Sequence, residues 1–201
     1  RDLEIRGAGN LLGAQQHGHM EAVGYDLYCK MLNEAVKHLK GEMEEEDYTT
    51  TIDLNIDAYI PDTYISNEYQ KLDIYKRIAA IESEEEMEDM VEELIDRFGD
   101  IPKKVEMLLT VAQLKALAHK VYVTAVEQKG DTYTFAMYER AKVCPEKIPA
   151  LLKEFRDDLA FKAEPPMFIY RKKRINKRDK TESVLEVVKN VLIGIKGLLG
   201  S

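Results

Sequence analysis

The order of the periodic segments between residues 50 and 138 is the feature that most constrains the fold of this 201-residue chain. Residues 50–60 alternate between apolar and polar side chains, which is typical of a strand with one buried face. Three segments with helical periodicity follow, and only then do two strand-like runs flank a turn signal at Gly130. A strand separated from the next one by three helices does not suit a repeating βαβ unit. The sequence therefore predicts the α+β class, with a small antiparallel sheet packed with helices.

End signals mark the central helices. Ser83 and Glu86 form a capping box, Gly99 follows the last apolar position of that helix, and Pro102 suits a first helical turn. The predicted elements after the first strand are helices at 66–81, 83–98 and from 102, a hairpin at 121–138, a helix at 145–155, a hairpin at 159–171 and a helix at 181–196. In the first two helices the predicted inward residues are Tyr69, Leu72, Tyr75, Ile78, Ala79, Met87, Met90, Val91, Leu94, Ile95 and Phe98.

A glycine cluster near the beginning of the sequence indicates a functional loop. Gly7, Gly9 and Gly13 lie within seven residues, and such clusters usually mark tight turns or a close approach of the backbone. Arg6 and Gln16 flank the cluster with several hydrogen-bonding groups. Loops that carry such groups are common places for binding sites, although a purely structural turn is an alternative.

The same glycines are close to the fingerprint of dinucleotide-binding proteins. That fingerprint requires a buried strand before it and an acidic residue about 20 positions later, after a second strand. Residues 2–5 are too polar for a buried strand, and residues 24–40 have the apolar spacing of an amphipathic helix ending at Gly41. The sequence therefore argues against an oxidoreductase.

Several stretches carry a resemblance to a known family. RDLEIRGAGNLLGAQQHGH, residues 1–19, resembles the TRG motif, which occurs in the helicase RecG and in bacterial transcription-repair coupling factors. GHMEAVGYDLYCKMLNEAV, residues 18–36, resembles the coupling factors rather than RecG, and so do LDIYKRIA, residues 72–79, and ELIDRFGDIP, residues 93–102. The resemblance is good over roughly the first 120 residues and weak beyond them.

The resemblance implies a place in a superfamily 2 motor protein. Members of this family move along double-stranded DNA with ATP and Mg²⁺ bound to their motor lobes, displace stalled RNA polymerase and recruit nucleotide excision repair. Arg6 and Gln16 match the arginine and glutamine that couple ATP hydrolysis to this movement, and Gly7, Gly9 and Gly13 belong to the same motif. The sequence has no signal peptide and no apolar stretch approaching about 18 residues, and its two cysteines lie far apart without CxxC partners, so we expect a cytoplasmic protein with no membrane partner.

The resemblance further implies two domains. Residues 1–45 would be the motif with its following helix, a helical-hairpin-like appendage at the tail of the second motor lobe. Residues 46–201 would be a C-terminal regulatory domain that docks on the repair-partner-binding domain and masks the site for the damage-recognition subunit. The alternative is a stand-alone interaction module that recruits this subunit directly. The acidic run 42–47 is predicted to be the linker, or else an extension of the preceding helix.

Charge is segregated along the sequence. Residues 42–100 hold 20 acidic and 4 basic residues, whereas residues 101–201 hold 12 acidic and 20 basic ones. The acidic segment repels DNA phosphates. Residues 171–180 contain seven basic residues, and DNA contact, a solvated turn and pairing with an acidic partner all fit this run. The candidate DNA contacts are Arg171, Lys172, Lys173 and Arg174.

Catalytic and metal-binding patterns are missing from the sequence. There is no P-loop, so we expect the chain itself to be non-enzymatic and to bind no cofactor or metal. The four histidines and two cysteines lack zinc-site spacing, and His17 and His19 suit either phosphate contact or an ordinary polar loop. Since the family motif starts at Arg1, we expect the chain to be a fragment of a longer protein.

Overall fold

The computed structural model describes residues 24–33, 48–172 and 183–200. These residues divide into two compact units. The first unit holds 24–33 and Ile56–Ala116, and the second holds residues 48–55 and the described residues from Leu117 onwards. The predicted appendage, the linker at 42–47 and the domain boundary at 45/46 all fall at least partly outside the described residues and stay predictions.

The first unit is helical. It contains α1 (described over 24–33), α2 (Glu68–Ala79), α3 (Glu84–Phe98) and most of α4 (Lys103–Lys120), which continues into the second unit. The Ser83 hydroxyl accepts a hydrogen bond from the Glu86 backbone N–H at 3.1 Å, so the N-cap half of the predicted capping box is confirmed. Gly99 ends α3 with a φ of 89°, a left-handed conformation that favours glycine.

The buried faces of α2 and α3 follow the predicted stripes with two exceptions. Tyr69 is 73% exposed and Ile95 is 46% exposed, so their predicted inward positions are wrong. The buried residues of α2 are the pairs 71/72, 74/75 and 78/79. The same helical period places the preceding pair of that face at 67/68, so Tyr69 lies one residue outside the buried face. Ile95 follows the fully buried Leu94 and therefore lies at the edge of the stripe of α3.

The second unit is built on a five-stranded sheet. Its strands are β1 (Thr51–Asp53), β2 (Val123–Lys129), β3 (Thr132–Met137), β4 (Leu159–Lys162) and β5 (Met167–Arg171), in the order β1-β2-β3-β5-β4. The cross-strand registers align one apolar row across all five strands. This row consists of Ile52, Val126, Phe135, Phe168 and Phe161.

The predicted α+β class is confirmed, but the sheet is mixed rather than entirely antiparallel. β2, β3, β5 and β4 pair antiparallel, whereas β1 pairs parallel with β2. A parallel pair requires a long crossover connection, and the chain between Asp53 and Val123 supplies one. The helices that predicted the class therefore also explain the orientation that the sequence analysis missed.

β1 is shorter than the predicted strand at 50–60. The predicted alternation of burial does persist, since Leu54, Ala58 and Ile60 are buried and Asn55 and Asp57 are exposed. The ladder nevertheless ends at Asp53. The next polar contact with the β2 region comes from the Asn55 N–H, which donates to the side-chain Oε1 of Gln128 at 2.9 Å instead of to a backbone carbonyl.

Two helices complete the second unit: α5 (Ile148–Glu154), after a 3-10 turn at Pro145–Lys147, and α6 (Val184–Lys196). A Cβ atom added to Gly194 of α6 would lie 2.6 Å from Cδ1 of Leu151, so the glycine allows a close approach between α6 and α5. Phe155, which ends α5, makes an edge-to-face contact with Tyr170 of β5, with ring centroids 6.2 Å apart.

Candidate functional site

The predicted coupling residues lie outside the described part of the chain. Arg6, Gln16 and the three glycines of the motif therefore have no geometry to report, and their role stays a prediction. Of the predicted DNA contacts, Lys173 and Arg174 also lie outside.

The other two predicted DNA contacts can be placed at the end of β5. Arg171 is the last residue of this strand and is exposed, whereas Lys172 is half-buried. The Arg171 backbone N–H donates to the Asp158 carbonyl at 2.8 Å, which ties the end of β5 to the residue before β4. DNA contact by these residues stays a prediction.

Helix α1, which follows the glycine motif in the sequence, packs tightly in the first unit. Tyr28 and Leu32 are fully buried. The Tyr28 hydroxyl donates to the carbonyl of Leu108 in α4 at 2.8 Å, and its ring lies 6.0 Å from that of Tyr75 in α2. Burial raises the pKa of Tyr28 well above its ordinary value, so this hydroxyl remains a donor. The contacts fix α1 between α2 and α4.

A buried lysine of α4 also contacts α1. Lys115 is only 3% exposed, and its ammonium donates to the carbonyl of Leu32 and lies 3.4 Å from the Asn33 side-chain oxygen. Burial lowers the pKa of Lys115 to about 7, and the nearby Cys29 and Glu82 oppose this shift only in part. An ammonium is thus held in a site whose surroundings disfavour its charge.

A charge network joins α2 to α3. Arg77 binds both carboxylate oxygens of Glu93, at 2.5 Å for the Nη2–Oε1 pair, and Arg97 donates to Oε2 of the same carboxylate at 2.8 Å. Hydrogen bonds from Arg77 and then Arg97 lower the pKa of Glu93 to about 2. Glu93 therefore remains ionised at any physiological pH, and its charge is matched within the unit.

The outer face of α3 carries acidic side chains that form a row along the helix. Residues spaced four apart lie on one ridge of a helix, and like charges at that spacing destabilise it slightly. All members of the row are exposed, and each therefore faces solvent or a partner. The acidic row consists of Glu84, Glu88, Glu92 and Asp96. Such a surface is suited to a basic partner and not to nucleic acid.

An aromatic cluster lies where the chain enters the second unit at Tyr48. The Tyr48 ring stacks on Tyr138, with centroids 4.7 Å apart, and lies 4.5 Å from the ring of His119. Thr50 donates to the Val123 carbonyl at 2.7 Å, so its oxygen accepts the Nδ1–H of His119 at 2.9 Å. These bonds account for a structural role at the beginning of β1.

Within the described residues no group of three or more His, Cys, Asp or Glu side chains is arranged to hold a metal ion. The helices in the part of the chain that the structure describes are also too short or too polar to cross a membrane.

Comparisons with known proteins agree with the α+β architecture. The family model described as the TRCF domain matches residues 54–148, which include α2, α3, α4 and the β2–β3 hairpin. Over these residues the chain is similar to the TRCF domain. The chain superposes on a crystal structure of the C-terminal domain of transcription-repair coupling factor with a TM-score of 0.59 and 29% identity, covering 75% of this chain and 92% of that one.

Curated relatives of this chain are transcription-repair-coupling factors. The Bacillus subtilis (strain 168) protein is 41% identical over 201 residues, covering 98% of this chain and 17% of the relative. The Staphylococcus haemolyticus (strain JCSC1435) protein is 47% identical over 143 residues, covering 70% of this chain and 12% of the relative. The chain therefore spans about a sixth or less of the length of these relatives.

The contacts of Lys115 and Tyr28 were not found from the sequence. Lys115 lies in the apolar run Val111–Ala118, where an inward charge is a signal that sequence inspection can use. Its partner Leu32 lies 83 positions away, and no local pattern reports that pairing. The acidic row, in contrast, follows directly from the sequence once α3 is placed.

Proposed function

We propose that this chain is the C-terminal part of an ATP-dependent, cytoplasmic translocase on double-stranded DNA that displaces stalled RNA polymerase and recruits nucleotide excision repair. The observation that carries the proposal is the 41% identity to a transcription-repair-coupling factor over 98% of this chain, which extends through the TRG-like stretch. In this proposal Arg6 and Gln16 couple ATP hydrolysis, with Mg²⁺ in the motor lobes, to movement on DNA.

We further propose that the TRCF domain restrains the longer protein by docking on its repair-partner-binding domain. The exposed acidic row of α3 supports this proposal, because a basic surface would relieve the repulsion along the row. Contacts between domains of one chain are moderate in size and partly polar, which suits a contact that must open. Opening would expose the site for the damage-recognition subunit.

Removing the domain tests this restraint. In the longer protein, ending the chain at residue 47 should raise ATP turnover several-fold and increase binding of the damage-recognition subunit, since a shift of a few kcal/mol suffices. Neutralising the acidic row should reproduce part of this effect, because exposed charges mainly align a contact. The row variant carries Glu84→Gln, Glu88→Gln, Glu92→Gln and Asp96→Asn.

The matched control neutralises exposed acidic residues of the second unit and should change neither measurement. It carries Glu139→Gln, Glu146→Gln, Glu154→Gln and Asp157→Asn, so it also removes four charges. If truncation leaves ATP turnover unchanged and abolishes binding of the damage-recognition subunit, the domain recruits this subunit instead of masking its site.

The isolated 201-residue chain should have no ATPase activity and should bind duplex DNA only weakly. The acidic segment 42–100 repels phosphates, and the whole chain carries a formal net charge of −8. At physiological salt we expect a Kd weaker than about 1 μM, rising further with salt. A fluorescence anisotropy titration at two salt concentrations measures this. Tighter binding would instead assign the basic run 171–180 to a DNA contact.

A further inference from the structure

Helix α1 is held in the first unit by apolar contacts that stabilise its docking and by a contact with the buried ammonium of Lys115, whose burial is unfavourable. Tyr28 and Leu32 are withdrawn completely from solvent, and Leu27 and Met31 pack against Leu72 of α2. These contacts favour the docked helix. The ammonium of Lys115, in contrast, is withdrawn from water in the docked chain, and both of its hydrogen-bonding oxygens belong to α1.

The apolar contacts of α1 favour docking, whereas the burial of the Lys115 charge opposes it. A buried charge is poorly stabilised unless it is fully paired, and replacing it with an apolar residue of similar volume is often neutral or stabilising. Neither oxygen that Lys115 meets on α1 carries a full charge. The groups that raise the pKa of Lys115 are Cys29 on α1 and Glu82 between α2 and α3. Glu82 does not belong to α1, so its attraction to the ammonium does not depend on docking.

We propose that α2 and α4 form a docking site for α1 of the same chain, and that buried Lys115 keeps this docking reversible. The second part rests on the proposed function. Because α1 continues in sequence from the glycine motif, its release or docking would carry the state of the motif to the TRCF domain. Lys115 is a positioning residue in this scheme, and Tyr28 is the main anchor.

The accessibility of Cys29 on α1 reports docking. In the 201-residue chain with Cys144→Ser, one free thiol remains. Cys29 is half-buried while α1 is docked, so its rate of reaction with a disulfide reagent increases when α1 is released more often. Tyr28→Ala removes the anchor and should increase this rate about tenfold or more. Lys115→Met removes the buried charge and should decrease it about tenfold. Lys120→Met, at an exposed lysine of the same helix, should leave it unchanged.

Opposite effects of Tyr28→Ala and Lys115→Met on the reaction rate of Cys29 distinguish reversible docking of α1 from a purely structural contact. If Lys115→Met speeds the reaction of Cys29, the lysine only holds α1 in place and the proposal of reversibility is wrong. If Tyr28→Ala has no effect while circular dichroism shows a folded chain, α1 is not docked in solution. Amide hydrogen exchange of residues 24–33 provides the same comparison without the thiol.

The proposed effect of α1 docking on the motor can be tested only in the longer protein. There, Lys115→Met should reduce polymerase displacement several-fold by keeping α1 docked, and Lys120→Met should not. Normal displacement with slowed Cys29 labelling would overturn the link while leaving the proposed function intact. Failure of the proposed function is seen separately, as no polymerase displacement by the unmodified longer protein.

Discussion

Replacing Arg6 with alanine in the longer protein should leave ATP turnover near the wild-type rate and reduce polymerase displacement about 10- to 100-fold. A hydrogen bond to a charged group contributes about 1.5–3 kcal/mol, which converts to this range of rates when the bond acts in the coupled step. Displacement of a DNA triplex and ATP turnover, measured on the same preparation, check the result. Unimpaired displacement would refute the assignment of Arg6.

Two further variants show whether the effect of Arg6→Ala is specific to the motif. Lys30→Ala removes an exposed basic residue from α1 and should leave both activities unchanged. Gln16→Ala should uncouple the protein as Arg6→Ala does. If Arg6 and Gln16 act as one unit, the double variant should be little worse than either single one, since residues in one network are not additive.

Lys115→Met should stabilise the isolated chain near neutral pH and lose this advantage as the pH rises. The pKa of Lys115 is about 7 in the folded chain and about 10.5 when unfolded, so the unfolded chain holds an extra proton between these values. The free energy of unfolding of the wild-type chain therefore increases between about pH 7 and pH 10.5, because the unfavourable charge of Lys115 is lost from the folded chain. Between pH 7 and pH 9 the difference between the two proteins should shrink by about 2 kcal/mol.

Urea unfolding at pH 7 and pH 9 measures this difference, and tyrosine fluorescence can follow it because the chain has 11 tyrosines and no tryptophan. Lys120→Met is the control, since an exposed lysine should give no pH-dependent difference. A difference between Lys115→Met and wild type that stays constant with pH would show that the charge of Lys115 is not disfavoured in the folded chain.

Local patterns predicted most of the elements of this fold. The capping box at Ser83, the glycine at position 99 and the hairpin turn at Gly130 are satisfied by neighbours in sequence, so they could be recognised without the structure. The exposed acidic row of α3 follows from the same helical period. Such signals depend on residues a few positions apart, where sequence and geometry are directly linked.

Long-range pairings could not be predicted in the same way. Nothing near Thr51 indicates that its partner is Ala125 or that the pair is parallel. The bonds from Lys115 to Leu32 and from Tyr28 to Leu108 likewise join positions about 80 residues apart. Gly194 illustrates the same limit, because no pattern in the sequence indicates that Leu151 lies against it.

The parallel pairing of β1 with β2 also sets the order of events during synthesis. Thr51 leaves the ribosome long before Ala125, so β1 has no strand to join while all three central helices emerge. Pairing that depends on distant segments forms slowly, and an unpaired apolar strand is exposed to aggregation meanwhile. Three residues separate the acidic run at 42–47 from β1, and flanking charge of this kind protects such strands. The run that is predicted to link two domains would thus also shield the nascent sheet.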